Sequence, residues 1–197
     1  MGRMSESRLI LASSSPRRRE LLAEAGYAFA VVPPDPAAEC GLCSRESPPE
    51  LVSRLARQKA ADVARRIPAG IVIGCDTVAE CGGQILGKPD SREHARQMLT
   101  LLAGREHRVY SGLCLWRRPD DAVRQEVATT TLVMDRLTTQ QLDEYLASGA
   151  WEGKAGAFGF QDGLDWVHIV QGSESNVVGL PMELLGQLLA DLDPRGE

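Results

Sequence analysis

The amino-acid sequence predicts a protein of the α/β class, and three features of the chain support this prediction. An apolar run at residues 9–12 leads directly into three serines, a proline and three arginines, which is typical of a strand that feeds a helix. Further along, β-branched runs alternate with segments that begin with helix-capping residues. Two long strand-like runs at residues 105–117 and 123–134 flank a Pro-Asp-Asp turn and predict an antiparallel hairpin.

Length and charge limit the classes of protein to which the chain can belong. Its 197 residues are enough for one domain with two lobes, so we expect a single domain over 1–197, with 1–7 as a flexible extension. The formal net charge of −5 argues against a broad surface for duplex DNA or for an anionic membrane. No run approaches the roughly 18–20 apolar residues that span a bilayer, and no secretory signal is recognisable, which predicts a cytoplasmic protein.

The five cysteines form an odd and scattered set, which favours reduced thiols over a disulfide framework. Cys40 and Cys43 form a CxxC pair, but no second pair accompanies them, so loop thiols are favoured over structural zinc.

The start of the first predicted helix concentrates positive charge. Ser15 is the predicted cap and Pro16 the first helical residue, so Arg17, Arg18 and Arg19 lie at the positive end of the helix dipole. Free amides, serine hydroxyls and guanidinium groups together can bind phosphate. The alternative is that these arginines point into solvent from a short surface helix.

The second predicted helix carries a lysine on its apolar side. Ser47 and Glu50 form a capping box that opens a helix reaching about residue 66. Lys59 falls in the middle of the apolar stripe formed by Val52, Leu55, Ala56 and Val63. The lysine either packs its stem and extends its ammonium to water at the helix edge, or directs it towards a ligand.

A β-branched run at residues 71–78 predicts a buried strand that carries Asp76 near its end. Buried carboxylates need a partner, so Asp76 either pairs with a cation structurally or serves in catalysis or metal binding.

The remaining elements follow from turns and caps. Glycine recurs every third residue at 153–159, beside Lys154 and Gln161, which suits either turns or close approach to a ligand. The other predicted elements are a strand at 27–32, a short strand at 85–87, a helix capped by Asp90, a helix capped by Thr138 that Gly149 ends, a strand at 164–170, a polar turn at 172–176 and a final helix after Pro181.

The candidate catalytic and binding residues favour a reaction on phosphate groups. The three histidines lack metal-ligand spacing, and no nucleophile elbow, Walker A loop or dinucleotide fingerprint is present. The remaining candidates are five cations and two acids: Arg17, Arg18, Lys59, Lys88, Lys154, Asp76 and Glu39. Hydrolysis of a triphosphate needs several fixed cations and a divalent metal, which carboxylates can hold. These residues do not by themselves select one phosphoanhydride bond over the other.

Six segments, taken in chain order, resemble the motifs of the Maf family of nucleoside triphosphate pyrophosphatases. They span nearly the whole chain and lie at residues 12–18, 55–60, 74–78, 87–89, 154–161 and 178–181. The resemblance implies an elongated, twisted mixed sheet with two lobes around a central cleft, related to the inosine triphosphate pyrophosphatases. It also implies a divalent cation, Mg²⁺ or Mn²⁺, and a homodimer.

The resemblance also assigns roles to individual residues. It implies that Asp76 is the proton acceptor and that Asp76 and Glu39 bind the metal. The implied phosphate-binding cations are Arg17, Lys59 and Lys88, with Ser13 in the same loop. The charge at the start of the first helix adds Arg18 to these substrate-binding residues.

Arg17, Thr77 and Gln161 occupy positions that distinguish branches of the family, and together they resemble the branch that hydrolyses dTTP and UTP. A 7-methyl-GTP or other modified-nucleotide pyrophosphatase remains an alternative. So does a non-enzymatic nucleotide-binding regulator of septum formation. Single-stranded nucleic-acid binding is disfavoured because three each of Phe, Tyr and Trp offer few stacking platforms.

Overall fold

The computed structural model describes residues 8–38 and 46–192 of the chain. The extension predicted at residues 1–7 lies outside the described residues, as do Glu39, Cys40 and Cys43.

The described chain contains a seven-stranded mixed sheet with flanking helices, so the predicted α/β class is confirmed. The strands are β1 (Leu9–Ala12), β2 (Phe29–Val31), β3 (Gly70–Cys81), β4 (Gln84–Leu86), β5 (Glu106–Arg118), β6 (Val123–Met134) and β7 (Val167–Gln171). The helices are α1 (Pro16–Glu24), α2 (Pro48–Ala64), α3 (Arg92–Leu102), α4 (Thr139–Ser148), α5 (Glu174–Val178) and α6 (Met182–Leu192). The strand order is β2-β1-β3-β5-β6-β7, with β4 paired to β3. β1 runs parallel to β2 and β3, whereas β4 and β7 pair antiparallel with β3 and β6.

The chain divides into two compact units. The first comprises the described residues of Met1–Asp76, Gly112–Val127 and Met182–Glu197, and the second comprises Thr77–Ser111 and Ala128–Pro181.

The core of the first unit lies where α2 packs against the strands. Its buried members are Ile10, Ala12, Ala56, Ala60, Val63, Ala64, Val72 and Cys114. Two glycines permit this close approach. A Cβ at Gly74 would overlap the Ala56 carbonyl and lie 2.8 Å from the Ala60 Cβ, and one at Gly112 would overlap the Val52 carbonyl. The strands therefore carry glycine where the helix backbone comes closest.

The core of the second unit contains larger side chains. Ala95, Met98, Leu99 and Leu102 form the buried face of α3, as their helical spacing predicts. Tyr145 and Leu146 of α4 pack into the same cluster, together with Trp151, Phe158 and Trp166.

Several predicted boundaries are wrong in instructive ways. Ser91, rather than Asp90, caps α3, because its hydroxyl accepts the His94 N–H at 3.2 Å. The strand predicted at 164–170 begins only at Val167 and ends at Gln171. The polar turn predicted at 172–176 gives way to α5 at Glu174, and this helix buries the polar Asn176.

Candidate active site

The loop between β1 and α1 is organised by the hydroxyl of Ser13. This oxygen accepts the backbone N–H of Ser15 at 3.1 Å and an N–H of the Arg18 guanidinium at 3.3 Å. Ser15 is the N-cap residue, as predicted, but its side chain makes no capping hydrogen bond. The buried Ser13 therefore fixes the turn that leads into α1.

The first turn of α1 keeps its positive character. Pro16 begins the helix, and no acidic residue lies in the first turn. Arg17 and Arg18 are half-buried, whereas Arg19 is exposed. A helix N-terminus flanked by guanidinium groups favours a bound anion.

Lys59 and Asp76 form an ion pair in the first unit. The Lys59 ammonium donates to Asp76 Oδ1 at 2.6 Å. The side chains are 8% and 15% exposed, respectively. Lys59 therefore does not reach water at the helix edge, and the snorkelling alternative is wrong. Gly74, two residues before Asp76, allows α2 to bring Lys59 this close.

In the second unit, buried polar groups hold the hydroxyl of Thr77. Its Oγ1 lies 2.8 Å from Ser111 Oγ and 3.4 Å from the Gly179 carbonyl oxygen. Ser111 in turn donates to the backbone oxygen of Asn176 at 3.3 Å. The Asn176 amide is fixed by donation to Thr130 Oγ1 at 2.9 Å.

The segment that contains Lys154 and Gln161 forms two short 3-10 turns, at Ala155–Ala157 and Phe160–Asp162. Gln161 is exposed, as is Lys88 on a neighbouring loop. The Gly156 N–H donates to the Gly87 oxygen at 3.0 Å, which joins the two loops within the second unit.

Lys154, like Lys59, is a buried candidate cation with a carboxylate partner. It is only 9% exposed, and its ammonium forms an ion pair with Asp162. Its charge is therefore matched by a carboxylate of the same segment.

The structure pairs two sets of predicted residues directly, Ser13 with Arg18 and Lys59 with Asp76. Glu39 lies outside the described residues, so its predicted metal role receives no structural description. Sequence reasoning missed Ser111, Asn176 and Asp162, which support the predicted site residues. Of these three residues, only Asp162 was indicated by the sequence, because it directly follows the predicted site residue Gln161.

The donor set is compatible with a divalent metal that a triphosphate brings with it. Within the described residues, no group of three or more His, Cys, Asp or Glu side chains could enclose a metal ion. Magnesium, however, commonly binds through one or two carboxylates and the oxygens of substrate phosphates. Asp76 supplies a partly exposed carboxylate of this kind.

Over residues 8–38 and 46–192, no helix has both the length and the apolar character needed to cross a membrane.

Comparison with known proteins identifies the class. A family model described as Maf-like protein matches residues 8–192. The chain is 57% identical to the dTTP/UTP pyrophosphatase of Rhodopirellula baltica over 190 residues, which cover 96% of this chain and 84% of the relative. It is 42% identical to the dTTP/UTP pyrophosphatase of Geotalea uraniireducens, over 90% of this chain and 91% of the relative.

The chain belongs to the Maf-like protein family, and the resemblance read from its six motifs is confirmed.

Proposed function

We propose that this protein is a nucleoside triphosphate pyrophosphatase that hydrolyses dTTP and UTP to the monophosphate and pyrophosphate. The observation that carries the proposal is the largely shielded Lys59–Asp76 ion pair, on a chain 57% identical to a relative named dTTP/UTP pyrophosphatase. Two relatives at 42% identity, from Geotalea uraniireducens and Paramagnetospirillum magneticum, have the same name.

The phosphates are bound by cations and by a helix N-terminus. Ser13 holds Arg18 at the entrance to α1, and Arg17 lies on the same first turn. A phosphate at this turn gains hydrogen bonds from free backbone amides and from guanidinium groups. Lys59 and Lys88 are the two further phosphate-binding cations of the proposal.

Asp76 handles the proton of the attacking water. Its carboxylate accepts this proton while the water oxygen bonds to the α-phosphorus. The bond from the α-phosphorus to the bridging oxygen breaks, and pyrophosphate leaves with the electron pair. Cations fixed beforehand around the phosphates stabilise the charge that develops on the leaving group.

The ion pair prepares Asp76 for this role. Lys59 holds Oδ1 from within the protein, so the carboxylate keeps one orientation before the substrate arrives. We assign selection of the base to Thr77 and Gln161, which with Arg17 occupy positions that distinguish branches of the family. Buried partners hold Thr77, and Gln161 offers an exposed amide.

A divalent cation, Mg²⁺ or Mn²⁺, belongs to this proposal, with Asp76 and Glu39 as its protein ligands. When bound, such an ion neutralises phosphate charge and acts as a Lewis acid.

The family resemblance further leads us to propose a cytoplasmic homodimer that binds neither nucleic acid nor membrane stably. Sedimentation of the purified protein tests the dimer, because a monomeric mass at micromolar concentration contradicts it.

The experiment that tests the proposal measures pyrophosphate release from a nucleotide panel. We expect the wild-type protein to prefer dTTP and UTP over 7-methyl-GTP and over the remaining standard triphosphates. Asp76→Asn should reduce the rate on the order of 10²–10⁴-fold, because it removes the proton acceptor. Asp120→Asn, at an exposed carboxylate that pairs with Arg117, serves as the control and should leave the rate unchanged.

Wild-type activity that survives in Asp76→Asn contradicts the role of Asp76. Tight nucleotide binding without product, under any divalent metal, contradicts the enzymatic proposal and favours a regulatory nucleotide-binding protein.

A further inference from the structure

We infer that Lys154, Asp162 and Tyr145 form a positioning cluster that fixes Gln161 for reading the nucleotide base. This inference rests on the proposed function, in which Gln161 contacts the base. None of the three residues is itself required to touch the substrate.

The cluster converges on one carboxylate oxygen. Asp162 Oδ2 is the ion-pair partner of the Lys154 ammonium, and it accepts the hydroxyl of Tyr145 at 3.2 Å. The side chain of Asp162 is 19% exposed and that of Lys154 is 11% exposed. An ion pair shielded to this degree constrains geometry more strongly than a solvent-exposed pair.

Gly159 shows how closely the chain folds around this ion pair. A Cβ at this position would lie 2.5 Å from Lys154 Nζ and 2.7 Å from Asp162 Oδ2. The φ angle at Gly159 is ordinary, so space rather than backbone conformation requires glycine here. The segment therefore closes over the ion pair at residue 159.

Two other contacts fix the same segment nearer its start. The Gly156 N–H donates to the Gly87 oxygen at 3.0 Å. Phe158 is 4% exposed and packs edge-to-face on His107, with the ring centroids 5.3 Å apart. The backbone is therefore held just before the second 3-10 turn, Phe160–Asp162, by these contacts and at the last residue of the turn by the Asp162 ion pair.

Gln161 is the residue immediately before Asp162, and its side chain is exposed. An amide that presents one donor group and one acceptor can select a base edge only if its orientation is fixed. A fixed backbone also avoids the entropy cost of ordering the loop when the nucleotide binds. The cluster thus gives Gln161 the rigidity that base selection requires.

This arrangement also explains why Lys154 is unlike Lys88. Lys88 is exposed, whereas Lys154 is buried against Asp162. The sequence alone placed both lysines among five cations that favour a reaction on phosphates, and the structure gives Lys154 an internal partner.

The test compares the preference for dTTP over dCTP, as the ratio of the two kcat/KM values, in a set of variants. Asp162→Asn should lower this preference about tenfold, mainly through the KM for dTTP, because loss of orientation weakens base selection. Tyr145→Phe keeps the ion pair and loses the hydroxyl that donates to Asp162 Oδ2, so it should shift the preference in the same direction by less. It also provides a measurement if Asp162→Asn folds poorly.

A matched control and a double variant distinguish positioning of Gln161 from a general loss of stability in its loop. Asp143→Asn breaks the Arg96–Asp143 ion pair of the same unit and should leave the preference unchanged. In a Gln161→Ala background, Asp162→Asn should have no further effect on the preference, because Asp162 acts through Gln161.

The inference is overturned if Asp162→Asn and Tyr145→Phe lower the melting temperature but keep the wild-type preference. It is also overturned if Asp162→Asn lowers the preference equally with and without Gln161. If Gln161→Ala itself keeps the preference, the base-reading role in the proposed function fails, and the positioning role fails with it.

Discussion

At the scale of single residues, the Lys59–Asp76 ion pair is the feature on which the proposed chemistry depends. Lys59 extends from the apolar side of α2 and donates to the carboxylate of Asp76 on β3. Asp76 is the last residue of β3 that belongs to the first unit. Removal of one member of such a pair leaves the other charge buried, which costs more than removal of both.

We therefore predict that Lys59→Met lowers the free energy of unfolding by about 3 kcal/mol and abolishes pyrophosphate release. The double variant Lys59→Met with Asp76→Asn should recover most of the lost stability while staying inactive, since no charge is left unpaired. Urea unfolding at pH 7 measures the stability of each variant.

Arg57→Met provides the control on the same helix. Arg57 is exposed and stacks 5.5 Å from the ring of Trp116, so its loss should cost about 1 kcal/mol or less. Full activity in folded Lys59→Met contradicts the proposed phosphate-binding role of the lysine.

His107 makes stability depend on pH. Burial lowers its pKa from 6.5 to about 4, and its Nε2 has no hydrogen-bond partner within the described structure. Above pH 6.5 the imidazole is neutral in both the folded and unfolded states. As the pH falls from 6.5 to 4, the unfolded chain takes up a proton that the folded chain does not.

We therefore predict that this histidine removes about 3 kcal/mol of stability between pH 6.5 and pH 4. His107→Leu, a substitution of similar size, should reduce the pH dependence by that amount. Urea unfolding of both proteins at pH 7, 5.5 and 4.5 checks the difference, and equal pH dependence in the two proteins contradicts it.

Individual site residues were predictable where a charged side chain interrupts an apolar pattern in the sequence. A lysine in an apolar stripe and an acid in a β-branched run indicated Lys59 and Asp76 from the sequence alone. The partners of other residues were not predictable, because they come from distant parts of the chain. Ser111, which holds Thr77 at 2.8 Å, lies 34 positions away in sequence.

At the scale of elements, the packing of α2 on the sheet depends on Gly74. We predict that Gly74→Ala destabilises the first unit by about 1–3 kcal/mol, because the new methyl group overlaps the backbone of α2. It should also reduce activity by displacing Lys59 from Asp76. Thermal unfolding and pyrophosphate release measure the two effects.

Gly186→Ala is the matched control for this substitution. Gly186 lies in α6, and an added Cβ there meets nothing within 4 Å. Alanine is favoured over glycine inside a helix by up to about 1 kcal/mol, so this variant should be as stable as the wild type or more so. A Gly74→Ala protein with wild-type stability and activity contradicts the packing argument.

Helices were predicted well where capping residues in the sequence mark where they begin or end. The capping boxes at Ser47 and Thr138 opened α2 and α4, and Gly149 ended α4 in a left-handed conformation, as expected. Prediction failed where tertiary contacts override local polarity. The polar segment around Asn176 is helical because its amide finds buried partners in the Val109 oxygen and the Thr130 hydroxyl.

At the scale of the whole molecule, the order of strands in the sheet could not be read from local patterns. β1 pairs in parallel with β3, which begins 58 residues after β1 ends, and no local signal specifies that register. The family, by contrast, was predictable, because six motifs in order specify it more strongly than any one of them. Which residues belong to each of the two compact units came only from the structure.

³¹P nuclear magnetic resonance of the reaction distinguishes cleavage of dTTP between the α- and β-phosphates from cleavage between the β- and γ-phosphates. With Mg²⁺ or Mn²⁺ present, we expect the dTTP signals to be replaced by those of thymidine monophosphate and pyrophosphate. Thymidine diphosphate and inorganic phosphate as the first products would contradict it.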